Sequence, residues 1–130
     1  TNINSTFIDG LPAESTVKIN YMLEAKKMGD AQQFKKAIEL YNKAFQETPE
    51  KVVILQDIAV CYYHLDNPQI AINYLKKIEN NPSLNDGKTE YLLSGCYFKL
   101  KDKTNACNYL NIAFNKKYPN TEQLLNQFCK

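Results

Sequence analysis

Small and bulky apolar residues return along this chain at intervals of 34 or 35 positions. Ala37 recurs as Ala71 after 34 residues and as Ala106 after a further 35. Tyr41 recurs as Leu75 and Leu110, and Ala44 as Ile78 and Ala113, at the same spacings. Upstream, Tyr21, Ala25 and Met28 align with Leu55, Ala59 and Tyr62, and these with Glu90, Ser94 and Tyr97. Each unit closes near a proline: Pro49, Pro82 and Pro119. The one extra residue falls in the run of turn formers from Asn80 to Gly87, where insertion is tolerated. A fixed period of this length marks stacked supersecondary units, each unable to bury its apolar face alone.

Within each unit the pattern is helical. Ile38, Tyr41, Ala44 and Phe45 form a stripe of period 3.6, as do Ile70, Ala71, Tyr74, Leu75 and Ile78. The small residue lets two helices approach closely, and the bulky residue four positions on fills the next hole of the same face. The opposite faces carry Lys35, Glu39, Asn42 and Gln46, and later Asn108, Asn111 and Asn115, which are expected in solvent. Only four glycines occur and the prolines are far apart, which favours long helices over a turn-rich sheet.

These residues resemble the tetratricopeptide repeat (TPR), whose pattern runs W-x2-L-G-x2-Y, then A-x3-F, then P. The second unit carries Leu55, Ile58, Ala59, Tyr62, Ala71, Leu75 and Pro82 at those places. The third carries Leu93, Ser94, Tyr97, Ala106, Leu110 and Pro119. The first carries Tyr21, Ala25, Met28, Ala37, Tyr41 and Pro49, but has Glu24 where the family has Leu. The resemblance covers about residues 18–120. It implies an all-α fold, a right-handed α-solenoid of three TPR helix hairpins (about 18–51, 52–86 and 87–120) with a C-terminal capping helix over 121–130. Residues 1–11 are then an N-terminal arm or linker and 12–130 the TPR domain. Pro12 would occupy the first turn of a helix running on into repeat one. Thr121 would cap the last helix, with Leu124, Leu125 and Phe128 facing inward.

In TPR arrays the first helix of each hairpin lines a concave groove. Carried over, the groove positions are Met22 and Lys26, then Gln56, Val60, Tyr63 and His64, then Tyr91, Gly95, Phe98 and Lys99. Tyr63 and Phe98 are equivalent and one repeat apart, with Gly95 leaving a hollow beside them. Either they form an aromatic ladder for a partner peptide, or they pack between neighbouring first helices. The family's carboxylate clamp for acidic tails is not reproduced. Met22 stands where its first Lys belongs, and Lys26 and Asp57 stand at its Asn positions. An apolar peptide or another TPR surface is the expected ligand.

Several chemistries find no support. The single histidine, His64, lies three residues after Cys61, and two ligands are not a metal site. No glycine-rich phosphate loop occurs, and Asp and Glu are scattered over solvated faces. No cofactor, no metal and no enzymatic activity are expected. The formal net charge is +2 and all sixteen basic residues are Lys, which argues against nucleic acid as a partner. No stretch is long and apolar enough for membrane insertion. Asn4-Ser5-Thr6 fits a glycosylation acceptor, a triplet also common by chance. No signal peptide is present, but the chain opens on Thr1, so an upstream segment is expected and the absence says little about compartment.

Of four cysteines, Cys107 falls near the start of the last repeat's second helix and Cys129 at the end of the cap helix. If those helices run antiparallel, the two ends meet and can approach disulfide distance; otherwise both remain buried free thiols. Ala106-Cys107 followed by terminal Phe128-Cys129 also resembles the C-terminus of many exported bacterial TPR proteins. That likeness implies a disulfide and an extracytoplasmic, periplasmic setting rather than a cytoplasmic one. Cys61 and Cys96, at equivalent positions of adjacent first helices, are expected to stay reduced in the core. The family resemblance implies a non-catalytic scaffold that holds a partner protein or peptide in its groove. The alternatives are a self-associating structural unit, hence a homo-oligomer, or a TPR-type secretion chaperone.

Overall fold

The computed structural model describes residues 18–130, and within them every regular element is helical. The helices are α1 (Tyr21–Asp30), α2 (Phe34–Glu47), α3 (Val53–His64), α4 (Pro68–Lys77), α5 (Lys88–Lys99), α6 (Lys103–Asn115) and α7 (Thr121–Phe128), with a short 3-10 turn at Pro82–Leu84. Each helix packs against the next in the chain, and α3 also touches α5. The chain is therefore a solenoid of three helical hairpins followed by a terminal helix. The arm expected over residues 1–11 and the position of Pro12 lie outside the described residues.

The four recurring alanines sit where the helices must come closest. Ala25, Ala37, Ala71 and Ala106 are wholly buried, as are Ile54, Ile58, Leu75 and Leu93. One cluster joins Ala25, Ala37, Ile38 and Tyr41 to Ile54, Ile58 and Cys61. A second joins Ala59, Ala71, Ile72 and Leu75 to Leu93, Cys96 and Tyr109. Because α3 contributes to both, neither hairpin owns its core, and each buries its stripe only by stacking on its neighbour.

The backbone repeats as faithfully as the side chains. The three hairpins turn through Gln32, Asp66 and Lys101, all with φ of 60–61°. In the second, Asn67 N–H donates to the Tyr62 carbonyl (2.9 Å) and Asp66 N–H to that of Tyr63 (3.1 Å). In the third, Asp102 and Lys101 donate to Tyr97 and Phe98 at 2.9 and 3.0 Å. This is the paired closure of a Schellman motif, which satisfies the last carbonyls of the first helix and reverses the chain. Asp102 then caps α6 by accepting from Asn105 N–H at 3.1 Å, and the Asn105 side-chain amide donates to its other oxygen at 2.7 Å. The side-chain bond first and the backbone bond second hold its carboxyl below the usual range.

Two helix ends depart from the sequence expectation. Residues 18–20 are not helical, so no helix runs unbroken from Pro12 into repeat one; instead Asn20 accepts from Leu23 N–H at 3.0 Å and starts α1 there. At the other end Asn120, in the left-handed region at φ 67°, is the cap residue of α7. Thr121 is the first helical residue, buried, with its hydroxyl donating to the Tyr118 carbonyl at 2.8 Å. Its methyl and hydroxyl fill the interior, which a cap facing solvent would not do.

Candidate partner-binding groove

The first helices α3 and α5 lie side by side, and α7 closes the far edge. Between them is a cleft of about 260 Å³. Val60, Tyr63 and His64 enter it from α3, Tyr91, Gly95 and Phe98 from α5, and Leu124 and Phe128 from α7. Its base includes Ala59, Leu75, Cys96 and Leu110, all buried. Gly95 keeps the floor low: a Cβ there would stand 3.5 Å from the Tyr63 ring, in ordinary contact. The Phe98 and Phe128 rings are 5.7 Å apart and tilted, forming one wall.

The cation at the rim is already engaged. The Lys99 amine donates to the Tyr63 carbonyl at 2.8 Å, lies 3.7 Å from the Asp66 carboxylate, and sits 4.0 Å over the Tyr63 ring. Burial pushes the Tyr63 phenol above its ordinary pKa, with Cys96 and Tyr91 adding to the effect. His64 stacks on Phe34 at 4.8 Å. Burial also drives the Cys96 and Cys61 thiols up to about 11, so neither is a ready nucleophile. Among the described residues no group of three His, Cys, Asp or Glu is placed to hold a metal, and no helix is long and apolar enough to cross a membrane.

Residues 30–113 match the family model described as anaphase-promoting complex, cyclosome, subunit 3, a model built on TPR-type repeats. The chain belongs to this TPR family. A solved structure of the same architecture, the TPR2AB-domain:pHSP90-complex of yeast Sti1, is 24% identical with a TM-score of 0.68. That likeness covers 82% of this chain and 46% of the other, so the chain spans just under half of that structure's length. At such identity the likeness is one of fold. No curated protein matches the chain.

The TPR groove positions read from the sequence are not all brought together. Val60, Tyr63, His64, Tyr91 and Phe98 do share the cleft, and Lys99 braces its rim through Tyr63. Met22 and Lys26 line a separate open hollow at the first hairpin, beside Ile19 and Leu23. Gln56 is no groove contact: it is 2% exposed and donates to the Thr89 hydroxyl at 3.0 Å, tying α3 to α5 from within. A buried amide needs such a partner, and Thr89 is the one the stacking supplies. Asp57 is pushed up by burial against the opposing pull of Lys88 and Lys26.

Phe128 is the contribution that the sequence reading misassigned. Far from facing inward, it is 46% exposed and completes the cleft. Leu124 and Phe128 are four residues apart and so share a face of α7. That face meets α5 at the Phe98–Phe128 contact, and just beyond it Cys129 is disulfide-bonded to Cys107 of α6, with the Cα atoms 5.8 Å apart. Cys61 and Cys96 are free and buried.

Proposed function

We propose that this TPR chain is a non-catalytic interaction module that takes an apolar anchor residue of a partner protein or peptide into the cleft between α3, α5 and α7. The observation that carries this reading is the pair Tyr63 and Phe98, half-buried one repeat apart beside Gly95, over an apolar floor. Aromatic side chains around a dry hollow are the usual anchors of protein interfaces. The volume falls just below the roughly 300–1,000 Å³ of small-molecule pockets, which suits one or two inserted side chains better than a whole ligand. The TPR neighbour in yeast Sti1 is itself a complex with pHSP90, which supports a protein or peptide as ligand. An acidic tail is the weaker candidate, because Lys99 is already bonded and Lys26 lies elsewhere. The module we infer spans the TPR domain from about residue 12 to 130, and an oxidising compartment, where disulfides persist, is the setting that suits it.

Peptides selected by display against the oxidised protein test this directly. They should carry Leu, Phe or Met anchors, and Tyr63→Ala or Phe98→Ala should weaken them about tenfold or more with the helical circular dichroism unchanged. Selection of acidic tails, or indifference to both substitutions, overturns the reading. A second reading, self-association, is favoured by Ile19 and Leu23 on the outer edge of the first hairpin, 53% and 49% exposed. It would appear in the same preparation as a size that grows with concentration.

A further inference from the structure

α7 is eight residues long, too short to hold its helical form in water unaided. Its only fully buried residue is Thr121, at the end away from the cleft, and Leu124 and Leu125 are half-buried. Yet this helix supplies the Leu124–Phe128 wall. At the end that carries Phe128 the covalent hold is the Cys107–Cys129 bond, which ties the last turn of α7 to α6. The wall of the cleft thus depends on a bond that a reductant can break.

We propose that the Cys107–Cys129 disulfide switches the cleft between a competent and an incompetent form. Oxidised, it presents Phe128 against Phe98 for a partner's anchor residue; reduced, α7 swings free and the wall is lost. The inference rests on the groove reading above and adds its regulation. The reductant is a dithiol. One of its thiolates attacks a sulfur of the bond, displacing the other cysteine as a thiolate that takes up a proton. The second thiol then resolves the mixed disulfide. Two electrons and two protons pass to the protein, giving two cysteine thiols and the cyclic disulfide of the reductant. Cys61 and Cys96 do not intrude, being 4% and 1% exposed with thiols held in the protonated form by burial.

The test compares the full chain oxidised, treated with dithiothreitol, and as the Cys107→Ser/Cys129→Ser double variant. The probe is a fluorescein-labelled peptide selected by display against the oxidised form. Reduction should speed amide exchange in residues 121–128 and weaken the peptide, each about tenfold, while exchange in α2–α4 holds. Both effects should reverse on reoxidation, and the double variant should behave as permanently reduced and ignore the dithiol. Peptide affinity that ignores the dithiol, or α7 exchange unchanged by it, overturns this inference alone. Failure of any peptide to bind either form overturns the groove reading and the switch together.

Discussion

Glu90 shows how a single residue can depart from its repeat and be accommodated. It aligns with Tyr21 and Leu55, at a place that faces the interior, and its side chain is 3% exposed. One carboxylate oxygen accepts from the Lys116 amine at 2.9 Å, and the other has no partner. A buried carboxylate with a single cation is held in place by that cation rather than by favourable burial. Lys116→Met should therefore cost about 2 kcal/mol, below the 3–5 kcal/mol of a fully buried pair because the lysine is a third exposed. Adding Glu90→Leu to that variant should recover the loss, since an apolar side chain at this place needs no partner. Urea unfolding followed by circular dichroism measures both, and a double variant weaker than the single would show that the charge serves packing after all.

At the scale of the element, the hairpin turns place Gln32, Asp66 and Lys101 in a left-handed conformation that suits glycine. A side chain there costs roughly 1–2 kcal/mol, and glycine returns part of that gain through its freedom in the unfolded chain. Lys101→Gly, at an exposed turn, should thus stabilise the fold by about 0.5–1 kcal/mol, seen as a higher urea midpoint at constant slope. The periodic alanines made the hairpins legible, because close approach demands small residues at fixed places. The turns were less so, since Gln, Asp and Lys carry no mark of positive φ. The groove was legible where the repeat register alone decides exposure, as at Val60, Tyr63 and Phe98. It was not legible at Gln56, whose burial depends on Thr89 in the next hairpin, nor at Phe128, whose direction depends on how α7 docks. Both depend on contacts between units, which a pattern within one unit does not encode.

At the scale of the whole molecule, stability is the sum of hairpins and the contacts between them, and α3 is the element on which both core clusters meet. Ile58, wholly buried, belongs to the cluster shared with α1 and α2, whereas Ala59, one residue on, belongs to the cluster shared with α4, α5 and α6. Removing side-chain volume at Ile58 therefore weakens the joint between the first hairpin and the rest while leaving the second cluster intact. Ile58→Ala should cost about 3 kcal/mol, as large-to-small changes in a packed core do. Its more telling effect is on cooperativity. With one neighbour weakened, the first hairpin has nothing else among the described residues to stack on, whereas the third hairpin keeps α4 and α7 as neighbours. Unfolding should split, with exchange in α1 and α2 accelerating by far more than in α5 and α6, and the urea slope falling as the single transition broadens. Uniform acceleration across α1–α6 at an unchanged slope would mean that the two clusters act as one core, and that the solenoid folds as a single globule rather than as a stack.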